Sequence, residues 1–410
     1  ATADIPPPRP ALEGAAEADV AVLGAGFTGL TAALALARKG FKVAVVEAHR
    51  AGFGASGRNG GQVGSGFNAD QRTLEKELGR DAAHLLWDLS MEAKAMVRDF
   101  CAAHAPEARF TPGVAHGAWA ARELREMRED ADHLAAEYDF HTEYLEGDAF
   151  RDIVCSPVYS GGTIDRDAGH VHPLRYCLAL ARAAEDAGVT IYENSPVERI
   201  ANGAFHTTKG DLKARERILA GNGYMPALHP HYSVRVCPIN SFIAATEPLE
   251  DPGTILGQDI AVADDRFVVN YFRLSEDGRL LFGGRENYGI GFPNDITTRL
   301  RQRMLHLVPQ LERARIDYVW GGTLGITMRR VPLVRRLEPG LWAAGGFSGH
   351  GVALTAIAGR CLAEAISHDM TNFESLAKLP CPPFPGGSQL RAPLLTLAMT
   401  WYALRDRLGL

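Results

Sequence analysis

Between Asp19 and Ala48 the chain reads DVAVLGAGFTGLTAALALARKGFKVAVVEA. A short apolar run, a glycine turn, an alanine- and leucine-rich segment and a valine-rich run follow without interruption. That order predicts a strand over Asp19–Leu23, a helix over Thr28–Lys39 and a strand over Lys42–Val46, which together make a βαβ unit. Gly24, Gly26 and Gly29 space the turn as G-x-G-x-x-G. Gly24 permits the tight turn, Gly26 lets a pyrophosphate approach the backbone, and Gly29 lets the helix pack close to the sheet. The helix start at Phe27 and Thr28 offers free N–H groups to phosphate. Glu47, followed by Ala48, ends the second strand. Its carboxylate can accept from ribose hydroxyls and would repel a 2′-phosphate. Strand, helix and acid together specify a dinucleotide site.

Directly after it comes AGFGASGRNGGQVGSG, residues 51–66, in which seven of sixteen residues are glycine. So much bare backbone costs conformational entropy and is expected where a large flat ligand comes close. The loop is expected to run beneath a ribityl chain and flavin ring, contacted by Gly54, Ala55, Ser56, Arg58, Asn59, Gly60, Gly61 and Gln62. A second turn, GGFSGHGV at 345–352, follows an apolar strand and opens another helix. Gly346, Phe347, Gly349, His350, Gly351 and Val352 are expected against the same ligand. The helix start would favour negative charge on a reduced flavin by about 0.3–2 kcal/mol. A plain NAD enzyme has no need of this second turn, so FAD is the expected cofactor.

The rest of the chain reads as long helices between Asp70 and Glu137, a helix at Leu174–Ala187, and strands at Thr190–Tyr192 and Arg215–Ala220. Mostly antiparallel strands follow from Pro238 to Gly284, then a helix at Thr297–Leu307. The fold class expected is α/β, with a Rossmann-like FAD-binding domain built from discontinuous segments (18–70, 150–225 and 320–375). An α+β substrate domain with a mainly antiparallel sheet and a helical insertion (71–149 and 226–319) is inserted between them. Residues 1–17 read as a proline-stiffened arm, and 376–410 as a linker and a terminal helix, Arg391–Leu408, docked on its own domain. A net charge of −6 with scattered lysines argues against nucleic acid. Six cysteines without CxxC pairing fit a reducing, cytoplasmic setting and no metal site. The first residues lack a signal peptide's pattern, and no apolar run reaches membrane-spanning length.

Later motifs narrow the reading: ASGRNGGQ (55–62), GHVHP (169–173), ATEPL (245–249), DGRLLFGGR (277–285), GGFSGHGV (345–352) and the ending PFPGG…LAMTWYALRDRLG. With these the chain resembles the D-amino-acid oxidase-like flavoproteins, most narrowly the γ-glutamylputrescine oxidoreductase group. The resemblance implies an active site where the substrate domain meets the flavin. It also implies that Val197 and the turn Gly221, Asn222, Gly223 help enclose the adenine end. No cysteine lies in either glycine segment, and Cys361 is too far along its helix, so the FAD is expected to be non-covalent.

The implied reaction removes hydride from the carbon beside an amine and gives an imine that water hydrolyses, with O2 or an electron carrier as acceptor. γ-Glutamylputrescine or a related amine of polyamine catabolism is the expected substrate. D-amino-acid or N-methyl or cyclic amino-acid oxidation is the alternative, and a non-catalytic flavin-binding protein the alternative of another class. His350, Arg58, Gln62, Tyr271 and Trp320 are the expected pocket residues, with Phe242 as a further aromatic. His170 and His172 read as capping or turn groups. Arg285 and Arg329 are candidate partners for a substrate carboxylate. No lysine lies between Lys213 and Lys378, so oxygen activation would need another cation. A monomer or homodimer is expected.

Overall fold

The computed structural model describes residues 2–225, 228–264, 266, 269–287, 294–388, 390 and 393–394. The strands form two sheets. The first runs, in spatial order, Leu333–Glu338, Leu341–Gly345, Gly210–Leu219, Gly14–Leu23, Val43–Val46 and Thr190–Tyr192. Its central strands are parallel, with Val20 beside Val43 and Gly14 beside Gly210. Val43–Val46 is buried along its whole length, as a strand covered on both faces must be. A hairpin, Val197–Ala201 and Ala204–Thr207, leans on Gly210–Leu219.

The helices Phe27–Arg38 and Gly351–Ile366 cover one face of this sheet, and Arg80–His104 packs on the latter. Leu86, Leu89, Ala93, Val97 and Cys101 recur at helical spacing and enter the same core as Leu30, Ala33 and Ile357. This helix was expected with the substrate domain; its apolar stripe places it on the cofactor side instead. The N-terminal arm is also more ordered than expected. Leu12 is buried, the first strand already begins at Gly14, and Arg9 reaches Glu185 and Glu193.

The second sheet runs Ile316–Ile326, Cys237–Thr246, Leu280–Asn287, Tyr271–Leu274, Ala261–Asp264, Thr111–Ala118, Gly161–His170 and Gln62–Val63, with Glu143–Glu146 beside Gly161–His170. All its pairings are antiparallel except Ala261–Asp264 with Thr111–Ala118. Three segments thus depart from the expected division: Gln62–Val63, Gly161–His170 and the later part of Ile316–Ile326 belong to this sheet, not the first. Thr111–Ala118 keeps to the expected substrate domain but is a strand where helices were expected. Phe242, Phe272, Phe282, Leu300 and Met304 fill the core between the sheet and the helix Ile296–Leu307.

The glycine-rich loop links the two sheets. It leaves the first after Glu47 and ends as the edge strand Gln62–Val63 of the second. The ligand-facing backbone is therefore held at both ends. The expected terminal helix, Arg391–Leu408, lies almost wholly outside the described residues. Among the described residues no helix is long and apolar enough to cross a membrane.

Candidate active site

The dinucleotide end is built on backbone groups. A Cβ on Gly29 would lie 2.0 Å from the Gly24 carbonyl oxygen, so only glycine lets the helix start this close to the turn. Glu47 accepts the Ala25 N–H at 2.9 Å and the His49 N–H at 3.0 Å, one on each carboxylate oxygen. Burial pushes its pKa up on balance, and those two backbone donors offset only part of that rise. The Ser56 hydroxyl accepts the Phe27 N–H at 3.0 Å, tying the loop to the helix start. Glu193, absent from the sequence expectations, accepts the Ala51 N–H at 2.8 Å and pairs with Arg9 at 2.9 Å. It anchors the first residue of the loop. Asn222 joins the middle and late glycine turns by accepting the Gly346 N–H. Val197 opens the hairpin strand paired with Thr207.

The glycine-rich loop, the second sheet and the turn before the helix Gly351–Ile366 enclose a cavity of about 530 Å³, lined by Ala55, Arg58, Asn59, Gly60, Gly61, Gln62, Tyr271, Gly349, His350 and Val352, among others. The structure thus brings together four of the five expected pocket residues. Asn59 donates to the Ala55 and Ser56 carbonyls and accepts the Gly61 N–H, so its side chain shapes the loop from within. The Gln62 amide donates to the Val262 carbonyl at 2.9 Å, pinning the loop to the sheet. The Tyr271 hydroxyl lies 3.3 Å from the Ser241 hydroxyl, and a Cβ on Gly60 would meet its ring at 3.0 Å. Arg58 donates to the Phe53 and Gly321 carbonyls and stacks 4.5 Å over the Phe53 ring.

His350 precedes the helix Gly351–Ile366 but forms no side-chain cap. Its imidazole packs on Gly64, where a Cβ would lie 2.8 Å from Cε1. Burial pushes its pKa down to about 4, so the ring is neutral at physiological pH. Asp264 is the one carboxylate among the described lining residues. It accepts the Asn270 N–H at 2.8 Å, the Asn270 side-chain amide at 2.6 Å and the Trp119 indole at 2.9 Å.

Arg58 and Asn59 also wall a second cavity, of about 460 Å³, on the other side of the loop. Trp320 lies there, its indole donating to the Arg58 carbonyl at 3.0 Å, and so is separated from His350. His170 and His172 line the same second cavity. His170 sits 3.4 Å from Asp259. His172 caps the helix Pro173–Asp186 by accepting the Arg175 N–H at 3.3 Å.

Other expectations are displaced. Phe242 is core, not cavity wall. Arg329 faces outward and pairs with Glu77 at 3.3 Å, whereas its neighbour Arg330 lines the larger cavity. The Arg285 side chain lies outside the described residues. Arg330, Arg266, Asp264 and Ser241 line the cavity without having been expected. Only the MRR doublet and the strand alternation through Ser241 hinted at them.

The arrangement fits a long flat ligand with a pyrophosphate in its middle. Gly61 is so close to the Val171 carbonyl that a Cβ would lie 2.1 Å from it, whereas a Cβ on Gly349 would meet nothing within 4 Å. One glycine brings the loop down onto the sheet, and the other leaves open space at a helix start. FAD has the required shape and charge.

Comparison with known proteins agrees. The family described as FAD dependent oxidoreductase (DAO) matches residues 19–365. A probable oxidoreductase OrdL of Rhizobium meliloti is 41% identical over 406 residues, 98% of this chain and 95% of that one. The γ-glutamylputrescine oxidoreductase of Escherichia coli is 36% identical over 397 residues, covering 95% and 93%. Among solved structures, the glycine oxidase of Bacillus cereus superposes with a TM-score of 0.73 at 21% identity, over 89% of this chain and 99% of that one. That likeness is one of fold. The chain belongs to the DAO family of FAD-dependent oxidoreductases, is an enzyme of that class, and takes FAD as its cofactor.

Proposed function

We propose that this enzyme oxidises a carbon–nitrogen bond of an amine to an imine, which water hydrolyses, and that γ-glutamylputrescine or a related amine is the substrate. The Escherichia coli relative named for that substrate supports the choice, since the similarity spans nearly all of both chains. In this assignment the Gly24–Gly29 turn, Glu47 and Ala48 hold the dinucleotide. The loop from Gly54 to Gln62 and the turn from Gly346 to Val352 hold the ring. Val197 and Gly221–Gly223 enclose the adenine end. When bound, FAD takes up the hydride equivalent from the carbon beside the nitrogen.

The protein's task is to present that nitrogen unprotonated. A free alkylamine has a pKa near 10.4, so holding it neutral at pH 7 costs roughly 4–5 kcal/mol. A free carboxylate beside it would raise that cost. The observation that carries the proposal is the state of Asp264. The only carboxylate among the described lining residues is buried, which pushes its pKa up toward the neutral form, and its two oxygens already accept from Asn270 and Trp119, so it is a weak counter-ion for the amine. His350, neutral, adds no charge of its own. Arg266 and Arg330 line the same cavity and suit a carboxylate remote from the reacting nitrogen. A γ-glutamyl amine carries such a group. The same cations favour a second reading, an amino-acid or N-methyl amino-acid substrate.

No cysteine is among the described lining residues, in keeping with non-covalent FAD. The six cysteines are unpaired, in keeping with a cytoplasmic setting. Anaerobic mixing with γ-glutamylputrescine, putrescine, other amines and D- and L-amino acids tests the proposal. The γ-glutamylated amine should bleach the bound flavin fastest, and admitted air or an added carrier should restore the colour. Bleaching by amino acids alone would favour the second reading.

A further inference from the structure

Along the strand Tyr271–Leu274, side chains alternate between faces. Phe272 enters the second core, while Tyr271 and Arg273 point the other way, toward the glycine-rich loop. Arg273 is 6% exposed. Its guanidinium donates to three carbonyls: Gly60 at 2.6 Å, Leu274 at 2.9 Å and Val171 at 3.1 Å. A Cβ on Gly61 would lie 3.3 Å from its Nη2. Gly60 and Gly61 line the larger cavity on their other side. Arg273 therefore stands directly behind the backbone that faces the cofactor.

Its charge is not cancelled locally. Among the described residues, Lys94 and Arg273 are the buried lysine and arginine side chains. Lys94 pairs with Asp167 at 2.7 Å. Arg273 has no carboxylate within ion-pair distance among the described residues. Asp259 attracts it from farther away and is itself placed against His170. Carbonyl dipoles satisfy the N–H groups but leave the net positive charge in place. Burial lowers the pKa of Arg273 only to about 10, so it stays cationic. A buried, unpaired charge is costly for a fold, and holding a loop needs only neutral donors. Among the described lining residues there is no lysine and burial keeps His350 neutral; Arg58, Arg266 and Arg330 line the cavity itself, and Arg273 adds a further fixed charge directly behind Gly60.

We propose that Arg273 is a positioning residue that clamps Gly60 to the sheet, and that its fixed charge favours the more negative, reduced state of the flavin in the adjoining cavity. The proposal rests on the assignment of that cavity to the flavin ring.

The test is the two-electron midpoint potential of the FAD-loaded wild type, R273K and R273Q, read by spectral titration against a reference dye. Lysine keeps the charge but cannot reach three carbonyls, so R273K should hold the wild-type potential while releasing FAD faster. R273Q should lower the reduced-to-oxidised ratio about tenfold at a fixed poise, equivalent to about 30 mV. An unchanged potential in R273Q would overturn the proposal. Should R273Q fail to retain flavin, D259N decides, because removing the nearest negative charge should raise the potential; no rise would overturn the proposal. Q62A and Y271F separate the two ideas. If they shift the flavin spectrum and R273Q does not shift the potential, Arg273 alone has been misread. If none of these variants has an effect, the cavity assignment has failed.

Discussion

The side-chain oxygen of Asn222 accepts the backbone N–H of Gly346 at 2.9 Å, joining two turns that lie 124 residues apart in sequence. Asn222 has a φ of 48°, a left-handed conformation that asparagine tolerates better than most residues. Asn222→Ala loses both advantages and leaves the Gly346 amide without its partner, at about 1–3 kcal/mol. Asn222→Gly keeps the backbone conformation and loses only the hydrogen bond. Both should release FAD faster in a flavin-fluorescence assay, the alanine variant more so. Equal, wild-type release from both would show that the two turns do not depend on each other.

Arg9 and Glu193 form a second long-range tie, with side chains 11% and 2% exposed. Arg9→Ala leaves Glu193 as an uncompensated buried charge, which costs about 3–5 kcal/mol in comparable sites. Arg9→Ala combined with Glu193→Gln should recover part of that loss, because the amide carries no charge to strand. Chemical denaturation of the four proteins in a double-mutant cycle reads the coupling. An Arg9→Ala variant as stable as wild type would show that the arm adds nothing to the cofactor half.

These ties explain which parts of the site the sequence disclosed. The Gly24–Gly29 turn, Glu47 and the Gly346–Val352 turn were legible because turn, strand and helix signals are local. The side of the loop on which an aromatic falls is not local. Tyr271 and Trp320 both sit on strands of the second sheet, yet Arg58 separates them, since the loop crosses that sheet between them. Arg329 and Arg330 differ by one position, yet Arg329 pairs outward with Glu77 while Arg330, at a φ of 58°, lines the cavity. Arg273 obeys a readable alternation, but its burial comes from Gly60, far away in sequence. Likewise Arg80–His104 and Gly351–Ile366 were both legible as helical stretches, while their packing on one another was not.

Two glycines should respond differently to the same change. Gly29→Ala drives a Cβ into the Gly24 carbonyl, a backbone atom that cannot step aside. It should destabilise the apoprotein and abolish FAD binding. Gly349→Ala meets no atom within 4 Å but must hold a φ of 88°, a strain of about 1–2 kcal/mol. It should fold, with a modest loss of melting temperature, and bind FAD weakly because the methyl group projects into open space beside the cavity. Isothermal titration of the two apoproteins with FAD, alongside thermal melts, separates these outcomes. Tight FAD binding by Gly349→Ala would remove that turn from the cofactor site.

Two half-buried histidines should shape the acid side of the stability curve. Burial pushes His350 down to about 4 from the ordinary 6.5. Burial, with help from the nearby Arg175 charge, does the same to His172. Below pH 6.5 the unfolded chain takes up protons that the folded chain refuses. Stability therefore falls as pH drops through that window and levels off below about 4. For His350 the loss between pH 7 and pH 4.5 is roughly 2–3 kcal/mol. His350→Asn and His172→Asn should each shrink the acid loss, and asparagine at 172 keeps a good helix cap. Urea denaturation of the apoproteins at both pH values gives the comparison. An acid loss as large in both variants as in wild type would mean that neither ring is held neutral. The same shift implies that His350 does not titrate near pH 6.5, so any inflection of turnover there must persist in His350→Asn.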